Sequence, residues 1–166
     1  MELEGAHATV EVPEGWVIAP VSTDSPYLGL TLCEAESSDA NFCLVKGEMS
    51  LEQLTGERAP TSLNSLLQEL QVEFDKETAS DRILSPRKLK VANLDAVESA
   101  SIGKIHYNYG PGKGGSFAPM LYHTQTLQDQ QTFYRCSLHV TPTGYTAELS
   151  QALTEFCSSL QFTGSH

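Results

Sequence analysis

The sequence predicts an α+β fold, in which grouped strands pair into one predominantly antiparallel sheet and two helices cover it. Three observations predict it. Alternation of apolar and polar residues recurs along most of the chain up to residue 140, two segments place apolar residues at helical spacing instead, and those two segments stand apart from the runs of strands. Alternation with one apolar side is the signature of antiparallel strands that face a core on one side only.

Taken in order, Ala8-Thr9-Val10-Glu11-Val12 alternates as a strand, breaks at Pro13-Glu14-Gly15 and leads to the apolar anchor Trp16-Val17-Ile18. Residues 27–33 and 42–46 are rich in sheet-forming side chains, and the polar stretch between them reads as the loop of a first hairpin. Ser50-Leu51-Glu52-Gln53 has the form of a capping box, and Gly56 and Pro60 limit the helix it would start to a single turn. From residue 61 or 62, Leu63, Leu66, Leu67, Leu70 and Phe74 mark one face of a long helix ending near Thr78. Its other side carries Glu69, Glu73, Asp75 and Glu77, a solvated face.

A polar loop containing Pro86 precedes strands at 88–91 and 94–100, and residues 102–109 continue in extended form. Gly110-Pro111-Gly112-Lys113-Gly114-Gly115-Ser116 is too rich in Gly and Pro for regular structure and reads as a loop extending to residue 117. Strands at 120–127 and 132–140 form a second hairpin around Gln128-Asp129-Gln130-Gln131, and Pro142-Thr143-Gly144 ends the sheet. Leu149, Ala152, Leu153, Phe156, Cys157 and Leu160 then line one face of a closing helix.

The 166 residues form a core of ordinary composition, 40% hydrophobic and 19% charged, which is expected to fold as a single domain over residues 1–163. Gly164-Ser165-His166 looks like the start of a purification tag. The net charge of −11, with only ten Lys and Arg, argues against a nucleic-acid partner and favours a basic one. No apolar run is long enough to span a bilayer, so membrane attachment is expected to be peripheral, and only if a lipoprotein leader has been removed.

Four cysteines lie at Cys33, Cys43, Cys136 and Cys157. The first two can face each other across the first hairpin. Cys136 shares the inward parity of Tyr134, Leu138 and Val140, and Cys157 lies on the apolar stripe of the last helix, so a bridge from sheet to helix is feasible. Three pairings are open, and the alternative is four buried thiols in a cytosolic protein. Disulfides in an oxidising compartment are the expectation, because no Cys-x-x-Cys spacing suggests a redox or zinc site.

The element order resembles the PsbP/DcrB-like superfamily. The features that match are Val10-Glu11-Val12-Pro13-Glu14-Gly15-Trp16, the amphipathic helix at 62–78, the turn Asn93-Leu94-Asp95-Ala96-Val97-Glu98, the hairpin at 118–140 and the closing helix. The resemblance covers nearly the whole chain and implies an α/β/α sandwich. Proteins of this superfamily are mainly binding proteins: photosystem subunits, envelope lipoproteins, and chaperones or immunity factors for secreted bacterial effectors such as those of type VI secretion. The resemblance carries over no catalytic residues. The loop at 110–117 and the cysteines depart from the family pattern, so specificity is expected there.

In that loop Lys113 is followed by Gly114 rather than Ser or Thr, and what comes next is strand-like rather than the helix of a phosphate-binding loop. Its flanking Tyr107, Tyr109, Phe117 and Met120, together with Lys113, suit a contact with another protein, since aromatics and Met are enriched at interfaces. The histidines, His7, His106, His123, His139 and His166, show no metal-ligand spacing, and neither a Gly-x-Ser-x-Gly elbow nor a Cys-centred signature is present. The expectation is a non-catalytic periplasmic or envelope protein without metal or cofactor, binding another protein as an immunity or inhibitor protein against a secreted effector. The alternatives are a cytosolic effector-loading chaperone and a small-ligand protein or enzyme.

Overall fold

A computed structural model describes residues 2–3, 8–18, 29–34, 47–108 and 110–162. Its strands are β1 (Glu2–Leu3), β2 (Ala8–Thr9), β3 (Trp16–Ile18), β4 (Gly29–Glu34), β5 (Glu48–Leu54), β6 (Arg82–Val91), β7 (Leu94–Asn108), β8 (Gly115–Asp129), β9 (Thr132–Val140) and β10 (Gln161–Phe162), and its helices are α1 (Leu63–Lys76) and α2 (Ala147–Ser158). Seven strands form one sheet in the order β3-β4-β5-β9-β8-β7-β6, and every described pairing in it is antiparallel. Strands β1, β2 and β10 form a small second sheet.

The pleat sorts side chains to two faces, and each face receives a helix. Ala96, Leu127, Tyr134, Cys136 and Leu138 point to one face and pack with Leu149, Leu153, Phe156 and Cys157 of α2. Their immediate chain neighbours Val97 and Phe133, with Leu54, point to the other face and meet Leu63, Leu66, Leu67 and Leu70 of α1. The result is an α/β/α sandwich, the α+β arrangement expected from the sequence. Both helices start on hydroxyl caps: Ser62 accepts from the Ser65 amide at 3.0 Å, and Thr146 accepts from the Leu149 amide at 3.2 Å.

Turns are closed by residues that tolerate positive φ. Gly15 at φ 84° lets the Trp16 amide donate to the Pro13 carbonyl at 3.1 Å, as in a type II turn. This drops Trp16 into the α2-side core. Ala92 and Asn93, at φ 52° and 64°, make the two-residue turn from β6 to β7, with the double positive φ that matches strand twist.

Two sequence expectations are corrected. Ser50-Leu51-Glu52-Gln53 is not a helical turn but the middle of β5, held between β4 and β9 in the heart of the sheet. Alternate burial of Met49 and Leu51, and ladders on both edges, outweigh a local capping signal; the short helical turn falls at Gly56–Arg58 instead. Pro86 lies within β6 rather than in a loop, at an edge strand whose pairing with β7 shifts register between Leu84 and Arg87. An edge and an irregular pairing are where a residue without an N–H is tolerated. The expected strand at 42–46 lies outside the described residues; the described partners of β4 are β3 and β5.

Cys136 and Cys157 are joined, with Cα atoms 5.9 Å apart, and both are fully buried. The bridge ties α2 to β9. Cys33 has a backbone place in β4 opposite Val17 and Glu48, but Cys43 lies outside the described residues, and so does that pairing. Replacing both Cys136 and Cys157 by Ala removes a crosslink spanning 21 residues and is expected to lower unfolding free energy by about 3 kcal/mol in denaturant titration. A loss below about 1 kcal/mol would show that packing alone holds α2.

Candidate functional site

Two features stand out from the scaffold: a charged cluster within the core, and a hairpin that outreaches the sheet. The cluster arises from register. Glu98 of β7 lies opposite Gln125 of β8, and Ala100 lies opposite His123, so Glu98, His123 and Gln125 share the face covered by α2. All three are buried.

The Glu98 carboxylate is surrounded by donors. Arg87, opposite it on β6, gives a forked pair to Oε1 at 3.0 Å from Nε and 2.7 Å from Nη2. On Oε2, Gln125 Nε2 donates at 2.6 Å and His123 Nε2 lies at 3.0 Å. An ionised carboxylate only accepts, so the His123 proton sits on Nε2. On the other side of the ring, Nδ1 faces the Tyr145 hydroxyl at 3.1 Å and the Ser150 hydroxyl at 3.5 Å, both contributed by the start of α2 and its approach. Thr154 of α2 receives a longer bond from Gln125 Nε2 at 3.4 Å. Oε1 of Gln125 is buried without a hydrogen-bond partner among the described residues.

Burial alone would raise the Glu98 pKa, but the hydrogen bonds from His123, Gln125 and Arg87 outweigh it and bring it down to about 2. The carboxylate is therefore ionised in the folded protein at all ordinary pH. Ser150, His123 and Glu98 have the order of a nucleophile, a base and an orienting acid, yet the shorter bond to Nδ1 comes from Tyr145 and the imidazole is only 2% exposed. What the arrangement does is fasten β6, β7, β8 and α2 through one charge.

On the opposite face, Glu52 of β5 accepts from Arg135 of β9 at 2.9 Å and from Arg58 at 2.8 Å, which together hold its carboxyl below the usual range despite partial burial. Tyr122 packs edge-on against His139, with ring centroids 4.6 Å apart, and its ring covers Gly103, where a Cβ would lie 3.0 Å from Cε2. Burial lowers the His139 pKa. Among the described residues, no group of three His, Cys, Asp or Glu side chains converges to hold a metal.

The second feature is the hairpin of β7 and β8. Pairing with β6 stops at Ser101 and pairing with β9 stops at Leu121, but β7 and β8 continue to pair with each other from Gly103 opposite Met120 to Asn108 opposite Gly115. Six residue pairs thus form a two-stranded ribbon without a third strand among the described residues, about 20 Å long. Its tip turns at Gly110, Gly112 and Gly114, all at positive φ, with the Lys113 amide donating to the Gly110 carbonyl at 3.1 Å.

Tyr107 and Met120 lie in strands, as the extended stretch 102–109 and the strand from 120 led one to expect, whereas Phe117, expected at the end of the loop, belongs to β8, which already begins at Gly115. Tyr107 lies in β7 opposite Ser116, while Phe117 and Met120 lie in β8 opposite His106 and Gly103. Lys113 is exposed at the tip, and Tyr109 lies outside the described residues. The Glu98 cluster was missed by sequence reasoning. The signal for it was present: His123 and Gln125 have the same parity as the apolar Leu121 and Leu127.

No family model matches the sequence, and no curated protein matches it. Solved structures do share the fold. LpqN of Mycobacterium tuberculosis, described as involved in cell envelope biogenesis, superposes with a TM-score of 0.50 at 15% identity, over 95% of this chain and 83% of its own. A protein of Bacteroides thetaiotaomicron superposes with a TM-score of 0.51 at 12% identity, over 95% of this chain and 46% of its own, so this chain spans about half of that one. Likeness at these identities establishes the fold.

Because Glu98 is depressed from 4.5 to about 2 in the fold, its contribution to stability is present above pH 4.5 and is lost as pH falls towards 2. The loss is on the order of 3 kcal/mol. Glu98→Gln is expected to be less stable at pH 7 and to show a flatter stability curve between pH 5 and 2, read by denaturant unfolding at each pH. Parallel curves would remove Glu98 as the source of the slope.

Proposed function

We propose that this chain is a non-catalytic protein of the bacterial envelope that acts by binding another protein through the β7–β8 ribbon, and that its partner is a secreted effector which it neutralises. The ribbon is the observation that carries this reading. An isolated two-stranded hairpin is marginal in water, and six residue pairs of it extend past both neighbouring strands. Such an extension has its use in contact. Tyr107, Phe117, Met120 and Lys113 give it the aromatic, Met and cationic composition of an interface.

Support for the envelope comes from two sides. LpqN, which has the same fold, is described in connection with cell envelope biogenesis. The buried bridge between Cys136 and Cys157 suits an oxidising compartment and disfavours a cytosolic effector-loading chaperone. The superfamily resemblance supports the choice of an effector as partner. Occlusion needs no chemistry: a ribbon of this length can enter a cleft and leave the scaffold outside it.

The test is affinity capture from the native envelope fraction with two baits, the full chain and a variant in which residues 104–119 are replaced by Asn-Gly, a turn that closes the hairpin at Gly103 and Met120. The intact bait is expected to retain one secreted protein, and the shortened bait to lose it while keeping the parent's thermal midpoint within a few degrees. Equal recovery by both baits would sink the ribbon reading. Expression of the captured protein is expected to be toxic and relieved by this chain. Toxicity without relief would sink the effector reading.

A further inference from the structure

The 21 carboxylates of this chain are unevenly placed. None occurs between Glu98 and Asp129, which is the stretch that forms most of β7, the tip and almost all of β8. The charges within it are Lys104 and Lys113, so residues 99–128 stand at +2 in a chain of −11 and the remainder carries −13. His106 adds a further positive charge when protonated. Chain-wide charge therefore points to a basic partner, while the element that projects points the other way.

We infer that the ribbon is shaped to enter an acidic cleft on its protein partner, steered there by Lys113, which its length carries clear of the acidic body, with Lys104 adding positive charge near its base. This rests on the reading of the ribbon as the protein-contact element. Lys113 is exposed at the tip, and Lys104 stands in the ribbon opposite Pro119. A reach of about 20 Å is twice the distance over which salt screens exposed charges, about 8–10 Å at physiological ionic strength. At the tip the field is that of Lys113, with Lys104 one pair from the ribbon's base, and there the −13 of the body is largely screened. The same body charge repels any acidic surface that approaches from another side, so it favours docking tip first. Carboxylate depletion combined with aromatic residues matches the composition of an interface centre, which favours a protein cleft over a lipid surface, where two lysines give only weak attraction.

The experiment maps binding on the full chain with defined probes. Backbone amide signals of isotope-labelled protein are followed at low salt during addition of poly-L-glutamate, poly-L-lysine or phosphatidylglycerol vesicles. Poly-L-glutamate is expected to move signals of residues 102–120 and leave those of α1 and α2 in place, and K104E/K113E to weaken that binding about tenfold or more. K104Q/K113Q, which adds no carboxylate, is expected to fall between, and unchanged signals elsewhere report that each variant is folded. Ribbon signals that respond to poly-L-lysine, or to neither polymer, would overturn the inference. A response to vesicles alone would assign the ribbon to a lipid surface and overturn it as well. In the capture assay, a partner lost with the shortened ribbon but kept by K104E/K113E would refute the charge argument and leave the protein-binding reading standing.

Discussion

The contact between α2 and the central strand β9 is what the rest of the structure depends on. Leu153, Phe156 and Cys157 of the helix are fully buried against Cys136 and Leu138 of the strand, and the bridge between the two cysteines makes the contact covalent. Truncating one such side chain to Ala typically costs about 2–5 kcal/mol, a large share of the stability of a domain this size. Because β9 pairs with β5 on one edge and β8 on the other, fixing α2 on β9 also fixes the parity of its neighbours. A slip of one residue in any of them would turn Leu51 or Leu127 out of the core and a polar neighbour in.

Under the same helix, the fold accepts a buried charge. Removing a carboxylate from water is expensive, and Glu98 is tolerated there because Arg87, His123 and Gln125 all donate to it. The arrangement fixes more than it stabilises: each donor comes from a definite register position, so a misaligned β6 or β8 would leave the charge without partners. Tyr145 and Ser150 extend that constraint to the start of α2, while the disulfide acts near its end.

The remaining conspicuous feature is the part that none of this requires. Beyond Ser101 and Leu121 the β7–β8 hairpin leaves its neighbours and runs on as two strands alone among the described residues. The edge strand β6, by contrast, is blunted by Pro86, by irregular pairing and by Arg87, Lys88 and Lys90, the usual means of preventing another chain from adding to a sheet. One border of the molecule is thus guarded and one element extended. That contrast, together with the unequal distribution of carboxylates, is what the proposed reading of the ribbon as a contact element rests on.

By itself the sequence determined the fold class, both helices and the inward parity of Cys136 and Cys157. Helical spacing and strand alternation are local consequences of one-sided burial, and they can be read without knowing what lies opposite. Only the tertiary structure decided which strands pair and how far. Ser50 to Gln53 reads locally as a cap, and becomes a central strand because β4 and β9 satisfy its backbone on both sides. Glu98, His123 and Gln125 are polar residues separated by up to 27 positions, and only the β7–β8 register makes them one site. The ribbon was legible as a Gly-rich interruption between two extended stretches. Its reach was not, because the extended pattern continues past the point where the neighbouring strands end, and where they end is a property of the whole sheet.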